Sequence, residues 1–580
     1  MSRPRRPARL LLLGLGALSV AACGRRGEAD LVLRHARVYS LGWSEPKRDG
    51  HPAADAPWDS LRGWRPDGEA IAIRDGRILE VGSDSAIARR IGARTEVRDL
   101  AGATVIPGLV DAHTHVAEWG ETLDRVDLTG VPDAAAAIAR VVERARSTPK
   151  GEWILGQGWD DGAWADRYPD ADALSAAVPD HPVVLRGLHG FASWANRAAL
   201  AAAGITRATA DPAGGAIRRR ADGTPSGLFL NRAVALLDAA VPRPAPAVRD
   251  SQLVRVLRRM AGMGYTAVHE AGTAPDVVAS FERLAESGRL PIRVSVMLSA
   301  RDSSLMERWI AQGPRRGRNA PDDLLTIRTV KAYYDGALGS RGAELLADYS
   351  DRPGTRGVAG AAYGFDRVRV ARAMAAGFQV AIHAIGDAGN RAALQFIDSV
   401  QKAAPQARNG RHRVEHAQVV APADVARIAE LGVIASVQPP HAVEDAPWAE
   451  QRVGPARIQG AYAWRTFRRA GASLVLSSDL PGSDADPFYG LHSAVTRTDR
   501  QGRPTGGWYP AQALTVEEAV RGYTRWARRA AFQDDSLGVL KADRWADLTV
   551  LDRDPFTTPP GTWLGGKAVL TLVRGQVVGP

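Results

Sequence analysis

Val105-Ile106-Pro107-Gly108-Leu109-Val110-Asp111-Ala112-His113-Thr114-His115 is an apolar run with a Pro-Gly turn that ends on two histidines one residue apart. Successive side chains of an extended chain alternate between faces, so His113 and His115 project the same way and can reach one metal ion. Two histidines packed at a polar barrel mouth would leave the same trace, so the pair alone decides little. The rest of the chain decides more. Short apolar runs recur at Tyr265 to His269, Ile292 to Leu298, Ile327 to Tyr334, Gln379 to His383, Arg413 to His416, Val433 to Gln438 and Leu474 to Ser478, with helical segments between them. Counting Thr104 to Ile106 with its extension to His115, these are eight strands, the number that closes a TIM-like (β/α)8 barrel. The gap between the first and second strands is far too long for one helix, which predicts a large α+β insertion over about 125–260.

Barrel sites lie at the C-terminal ends of the strands, and polar residues stand at several such ends. His383 follows Val380-Ala381-Ile382, His416 follows Val414-Glu415, and Asp479 follows Leu474 to Ser478. The spacing from His383 to His416 fits one β/α unit, and that from His416 to Asp479 fits two. Imidazoles and a carboxylate gathered in this way form a nitrogen and oxygen donor set suited to zinc or a similar divalent ion. Lys331 ends the run Ile327 to Val330 and points inward as well. A desolvated ammonium beside a metal cation would be repelled, so this lysine has to be paired or modified.

The chain ends read differently. Leu31 to Leu33, the hairpin Ala70 to Arg74 and Arg77 to Val81, Asp547 to Leu551, and the hairpin Ala568 to Arg574 and Gln576 to Val578 are strand-like. Neither end can form a core alone, so residues 23–103 and 536–580 are expected to pair as one small β-sandwich, leaving 104–535 for the barrel. Residues 1–22 read as an export signal. Arg3, Arg5, Arg6 and Arg9 precede the apolar stretch Leu10 to Val20, and Val20-Ala21-Ala22-Cys23 resembles a bacterial lipobox. Cys23 is the single cysteine of 580 residues, which favours lipidation and membrane anchoring over a disulfide role. Gly24 after it resembles outer-membrane sorting in a Gram-negative cell. Hydrophobic residues make up 45% and charged residues 24% of the chain, the balance of a globular protein. The net charge of +11 comes from scattered arginines and not from a basic run with interleaved aromatics, which argues against nucleic acid as a partner. A homodimer is compatible with the sequence, and nothing in it selects one.

The order His-x-His, Lys, His, His, Asp on successive strands resembles the amidohydrolase superfamily, and more closely its family-3 branch, which includes N-substituted formamide deformylases. The likeness runs over nearly the whole mature chain and includes Asp335-Gly336-Ala337-Leu338-Gly339-Ser340-Arg341, His383-Ala384-Ile385-Gly386-Asp387, Val414-Glu415-His416-Ala417-Gln418, Ser436-Val437-Gln438-Pro439 and Ser477-Ser478-Asp479. The resemblance implies hydrolysis of a non-peptide carbon–nitrogen bond in a small amide. It implies that His113, His115 and Asp479 hold one metal and His383 and His416 a second. Lys331, carboxylated by carbon dioxide, would bridge the two as a carbamate, and Asp479 would shuttle the proton. The chain departs from the family's pattern at His189-Gly190-Phe191, where Asp-Gly-His is usual, at Glu270, where aspartate is usual, and at Asn231 and Lys541 to Trp545. None of these is a metal ligand.

Trp159, His189, Arg341 and His441 are candidates for substrate contacts, Trp159 because pockets favour aromatic walls, the others by their place after strand ends or in the altered insertion. Trp153, Trp159, Trp164 and Trp194 can equally form the insertion's own core. Two other functions are compatible with the sequence. One is a deaminase of the same superfamily, which usually lacks the bridging lysine. The other is a catalytically silent, ligand-binding lipoprotein.

Overall fold

The computed structural model describes residues 27–159, 164, 169–187, 192–212, 215–231, 233–316 and 324–580. It divides into two compact units, one of residues through Thr114 with Leu257–Pro275 and Leu290–Pro580, the other of His115–Val256 with Asp276–Arg289. In the first unit, β1 (Leu109–Thr114), β2 (Tyr265–Thr273), β3 (Arg293–Ser299), β4 (Leu325–Tyr333), β5 (Gln379–Ala384), β6 (Arg413–His416), β7 (Ile434–Val437) and β8 (Ser473–Leu476) pair in parallel, each with the next in chain order. The sheet returns on itself where the Asp479 N–H donates to His113 O at 3.0 Å and Thr114 bridges Leu480. It is a nearly closed (β/α)8 barrel. Every residue of β1, β6 and β7 is buried, as expected of strands covered on both faces. The connecting helices are amphipathic. Asp387–Ala403, for example, buries Ala393, Leu394, Phe396, Ile397 and Val400, a stripe at helical spacing.

The chain ends of the same unit form a β-sandwich. One sheet runs in the order Arg77–Gly82, Ala70–Arg74, Leu31–Arg34, Glu96–Asp99; the other runs Arg37–Val38, Thr104–Pro107, Leu548–Leu551, Ala568–Val573, Gln576–Gly579. Leu33, Val38, Ile71, Ile73, Val105, Leu548, Val550 and Leu572 belong to a single apolar core. Burying such a side chain contributes about 1.5–3 kcal/mol, which a lone hairpin could not gather. The assignment of Thr104 to Ile106 to the barrel is corrected here. Those residues pair antiparallel with Leu548–Leu551 in the sandwich, and the barrel strand begins at Leu109. Gly108 makes the crossing, since a Cβ there would lie 2.2 Å from Thr266 Oγ1.

The second unit carries a six-stranded sheet in the order Val126–Asp127, Ile154–Trp159, Val183–Gly187, Ala192–Ala195, Pro225–Asn231, Gly215–Arg219. Its bounds differ from the expected 125–260, since the compact unit starts at His115 and takes in Asp276–Arg289. The signal segment and Cys23 lie outside the described residues. Among the described residues no helix is long and apolar enough to cross a membrane.

Candidate metal centre

The C-terminal strand ends bring His113, Lys331, His383, His416 and Asp479 together through two features of the backbone. The first is alternation. Asp111 and His113 on β1, Arg413 and Glu415 on β6, and Ser436 and Gln438 along β7 face inward, as their mutual contacts show: Ser478 Oγ donates to Asp111 Oδ2 at 2.5 Å, Arg413 Nη2 donates to Ser436 Oγ at 2.8 Å, and His113 Nδ1 lies 2.5 Å from Glu415 Oε2. The second is a break in alternation. His416 follows inward Glu415 and would face outward if the strand continued, but its φ is +72° and that of Ala417 is +40°. The ring therefore also turns inward, its centroid 5.2 Å from that of His113 and 4.5 Å from that of His383. Asp479 adopts φ +62° in the same way. A left-handed residue other than glycine costs about 1–2 kcal/mol, and here the barrel's closing hydrogen bond holds it.

His113, His416 and Asp479 each offer a ligand atom, all within 4.8 Å of one another. His113 Nε2 lies 3.0 Å from Lys331 Nζ and 3.4 Å from Asp479 Oδ1. His416 Nδ1 is 2.9 Å from Gln438 Oε1. His383 Nε2 is buried, has no hydrogen-bond partner among the described residues, and stands 3.7 Å from Asp335 Oδ1. Burial sets the protonation of this cluster. It pushes the His113 imidazole down to about 4 and that of His383 to about 3, with the charge of Lys331 adding to both. It pushes the Lys331 ammonium down to about 8. Burial works against the Glu415 carboxylate too, but Arg413, His113 and Lys331 hold it well below the usual range. Near neutral pH the site thus offers imidazole lone pairs and not imidazolium protons, the form a metal requires.

The remaining candidates divide. His441 belongs here, with Nε2 3.9 Å from Asp479 Oδ2 and its ring stacked on His416 at 6.1 Å. His115 is the N-cap residue of the helix Val116–Thr122 and begins the second unit. Arg341 is committed elsewhere, donating from Nη2 and Nε to Asp351 at 2.7 and 3.2 Å, a carboxylate that Arg452 also holds. His189 and Phe191 lie outside the described residues. Trp159 takes the other of its two expected places: its side chain is wholly buried, its indole N–H donates to Leu185 O at 2.8 Å, and it packs with Trp164 and Trp194 in the insertion's core. Trp159→Ala is expected to destabilise the insertion by about 3–5 kcal/mol, read as an earlier unfolding midpoint in denaturant, while KM stays as it was. A raised KM with unchanged stability would return Trp159 to the pocket.

Sequence reasoning gave no role to Glu415, Arg413, Gln438 or Asp335. Asp335 accepts N–H groups from Ile385, Gly386 and Glu344, each at 2.9 Å, and so ties the loop after β5 to the loop after β4. Burial pushes its carboxyl up to about 7. The available signal was parity: Arg413 and Glu415 are charged at alternate positions of the strand, with apolar Val414 between them.

A family model described as "Amidohydrolase family" matches residues 96–579. The chain is 31% identical over 518 residues to the putative amidohydrolase YtcJ of Bacillus subtilis, covering 88% of this chain and 96% of that protein. It is 27% identical over 525 residues to the N-substituted formamide deformylase of Arthrobacter pascens, with 87% and 94% covered. Among solved structures, an uncharacterised metal-dependent hydrolase from Pyrococcus furiosus superposes with a TM-score of 0.72 at 25% identity, covering 91% of this chain and all of that one.

Proposed function

Because the chain belongs to the amidohydrolase family and is a metal-dependent hydrolase of that superfamily, we propose that it breaks a non-peptide carbon–nitrogen bond, that of a linear or cyclic amide. The observation that carries this reading is the meeting of His113, His416 and Asp479 within 4.8 Å, next to a buried His383 nitrogen that lacks a hydrogen-bond partner among the described residues. These donors fit zinc or a similar divalent ion. His113, His115 and Asp479 would hold one ion and His383 and His416 a second, with a carbamate on Lys331 between them. The ions, when bound, supply Lewis acidity at the scissile carbonyl and toward water. Asp479 takes up the proton of the attacking water and delivers it to the departing nitrogen. His441, partly exposed beside the same carboxylate, meets the substrate. Lys331 serves this scheme because burial lowers its amine: the ammonium gives up one proton, the neutral nitrogen attacks carbon dioxide and gives up a second, and the side chain passes from cation to anion.

The formamide-cleaving relative supports the substrate class, and Lys331 weighs against a one-metal deaminase. The test is metal removal followed by a substrate screen. A chelator should abolish hydrolysis of N-formyl, N-acyl or cyclic amides, and zinc should restore it with stoichiometric uptake. Full activity in metal-free protein would refute the reading, and ammonia release from an amino-heterocycle instead would favour the deaminase. The segment Val20-Ala21-Ala22-Cys23 supports export and lipid anchoring. Cys23→Ser should then free the protein from the membrane fraction, and retention there would count against the anchor.

A further inference from the structure

β6 carries a buried ion pair directly beneath the candidate metal centre. Glu415 has no exposed surface. Its Oε1 lies 2.6 Å from Arg413 Nε and its Oε2 accepts from Arg413 Nη2 at 3.0 Å. Arg413 is itself fixed to three other strands. It donates from Nη2 to Ala112 O on β1 at 2.7 Å and to Ser436 Oγ on β7 at 2.8 Å, and its Nη1 stands 3.1 Å from His269 Nδ1 on β2. The second contact of Glu415 Oε2 is His113 Nδ1 at 2.5 Å, and the opposite ring nitrogen of His113 is the one that meets Lys331 Nζ and Asp479 Oδ1.

The geometry assigns to Glu415 the role of positioning residue for His113, fixing the imidazole proton on Nδ1 so that the Nε2 lone pair points into the donor cluster. A carboxylate only accepts hydrogen bonds. Facing Nδ1, it demands a proton there, and the opposite tautomer would set a lone pair against a negative charge. Arg413 supplies the counter-charge that lets an anion exist in a dry site, and its bonds to β1 and β7 hold the anion in place. A histidine ligand braced from behind by a carboxylate is both oriented and made more basic. The consequence for metal affinity rests on the metal reading proposed above; the tautomer does not.

The bland alternative is that Glu415 does no more than neutralise Arg413. Zinc affinity of the full-length protein, measured by competition with a chromophoric chelator, separates the two. Glu415→Gln is expected to weaken zinc binding by about 10–100-fold. The double variant Arg413→Met with Glu415→Gln removes the stranded guanidinium as well, and it should remain as weak. Wild-type affinity in Glu415→Gln overturns the assignment, and so does recovery of affinity in the double variant. Should either variant fail to fold, the unaltered protein still decides: 15N-histidine NMR should show a ring protonated at Nδ1 that disappears in His113→Asn, and a His113 protonated at Nε2 overturns the proposal. If the unaltered protein binds no zinc, the metal reading fails while the NMR result still stands or falls by itself.

Discussion

Asp479→Asn is expected to lower kcat for an amide substrate by about two to four orders of magnitude, the usual contribution of a positioned proton-transfer group. The substitution is nearly isosteric, so the closing hydrogen bond from the Asp479 N–H to His113 O, and the left-handed backbone that depends on it, should persist. What is lost is basicity. The two carboxylate oxygens face different neighbours, Oδ1 at 3.4 Å from His113 Nε2 and Oδ2 at 3.9 Å from His441 Nε2. An amide placed there presents one acceptor and one donor and can neither take up nor return a proton. Bound metal measured beside kcat resolves the two roles proposed for this residue. A fall in kcat with metal retained identifies the shuttle, whereas metal lost in step with kcat identifies a ligand. Unchanged turnover at full metal occupancy would remove Asp479 from both.

The pattern that made Asp479 a candidate also shows how far sequence reaches here. All eight barrel strands were legible, because a strand buried on both faces has to be apolar and its inward polar residues stand out against that background. The switch of sheets was not legible. Val105 to Val110 reads as one apolar run, and it takes the pairing of Thr104–Pro107 with Leu548–Leu551 and the approach of Thr266 to Gly108 to show where the chain leaves the sandwich for the barrel. Alternation alone does not account for β6. By parity His416 and Glu415 should face apart, and they meet at one site because His416 takes a positive φ that no sequence pattern announces. The tryptophans of the insertion were ambiguous for another reason: an aromatic wall and an aromatic core have the same composition, and only burial tells them apart.

Lys331→Ala is expected to reduce zinc affinity by at least about 100-fold and to abolish hydrolysis with it. Lys331 Nζ stands 3.0 Å from His113 Nε2, so as an ammonium it would donate to the lone pair a metal needs and add a positive charge beside the cation. Two outcomes follow from the same contact. If the lysine stays an amine, alanine removes a competitor and zinc should bind as well or better. If it becomes a carbamate, alanine removes an anionic bridge and zinc should be lost. Full metal retention in Lys331→Ala therefore refutes the carbamate. A second measurement fixes the direction with pH. Burial lowers the amine to about 8, and only the neutral form attacks carbon dioxide. With dissolved carbon dioxide held at one concentration by adjusting bicarbonate, the rate at which metal-free protein regains activity with zinc should thus rise about tenfold for each pH unit below that value and level off above it. Reactivation without bicarbonate should be slow throughout. A profile flat in pH and indifferent to bicarbonate would mean that Lys331 enters the site as an unmodified amine, and the charge balance of the two-metal arrangement would then fail.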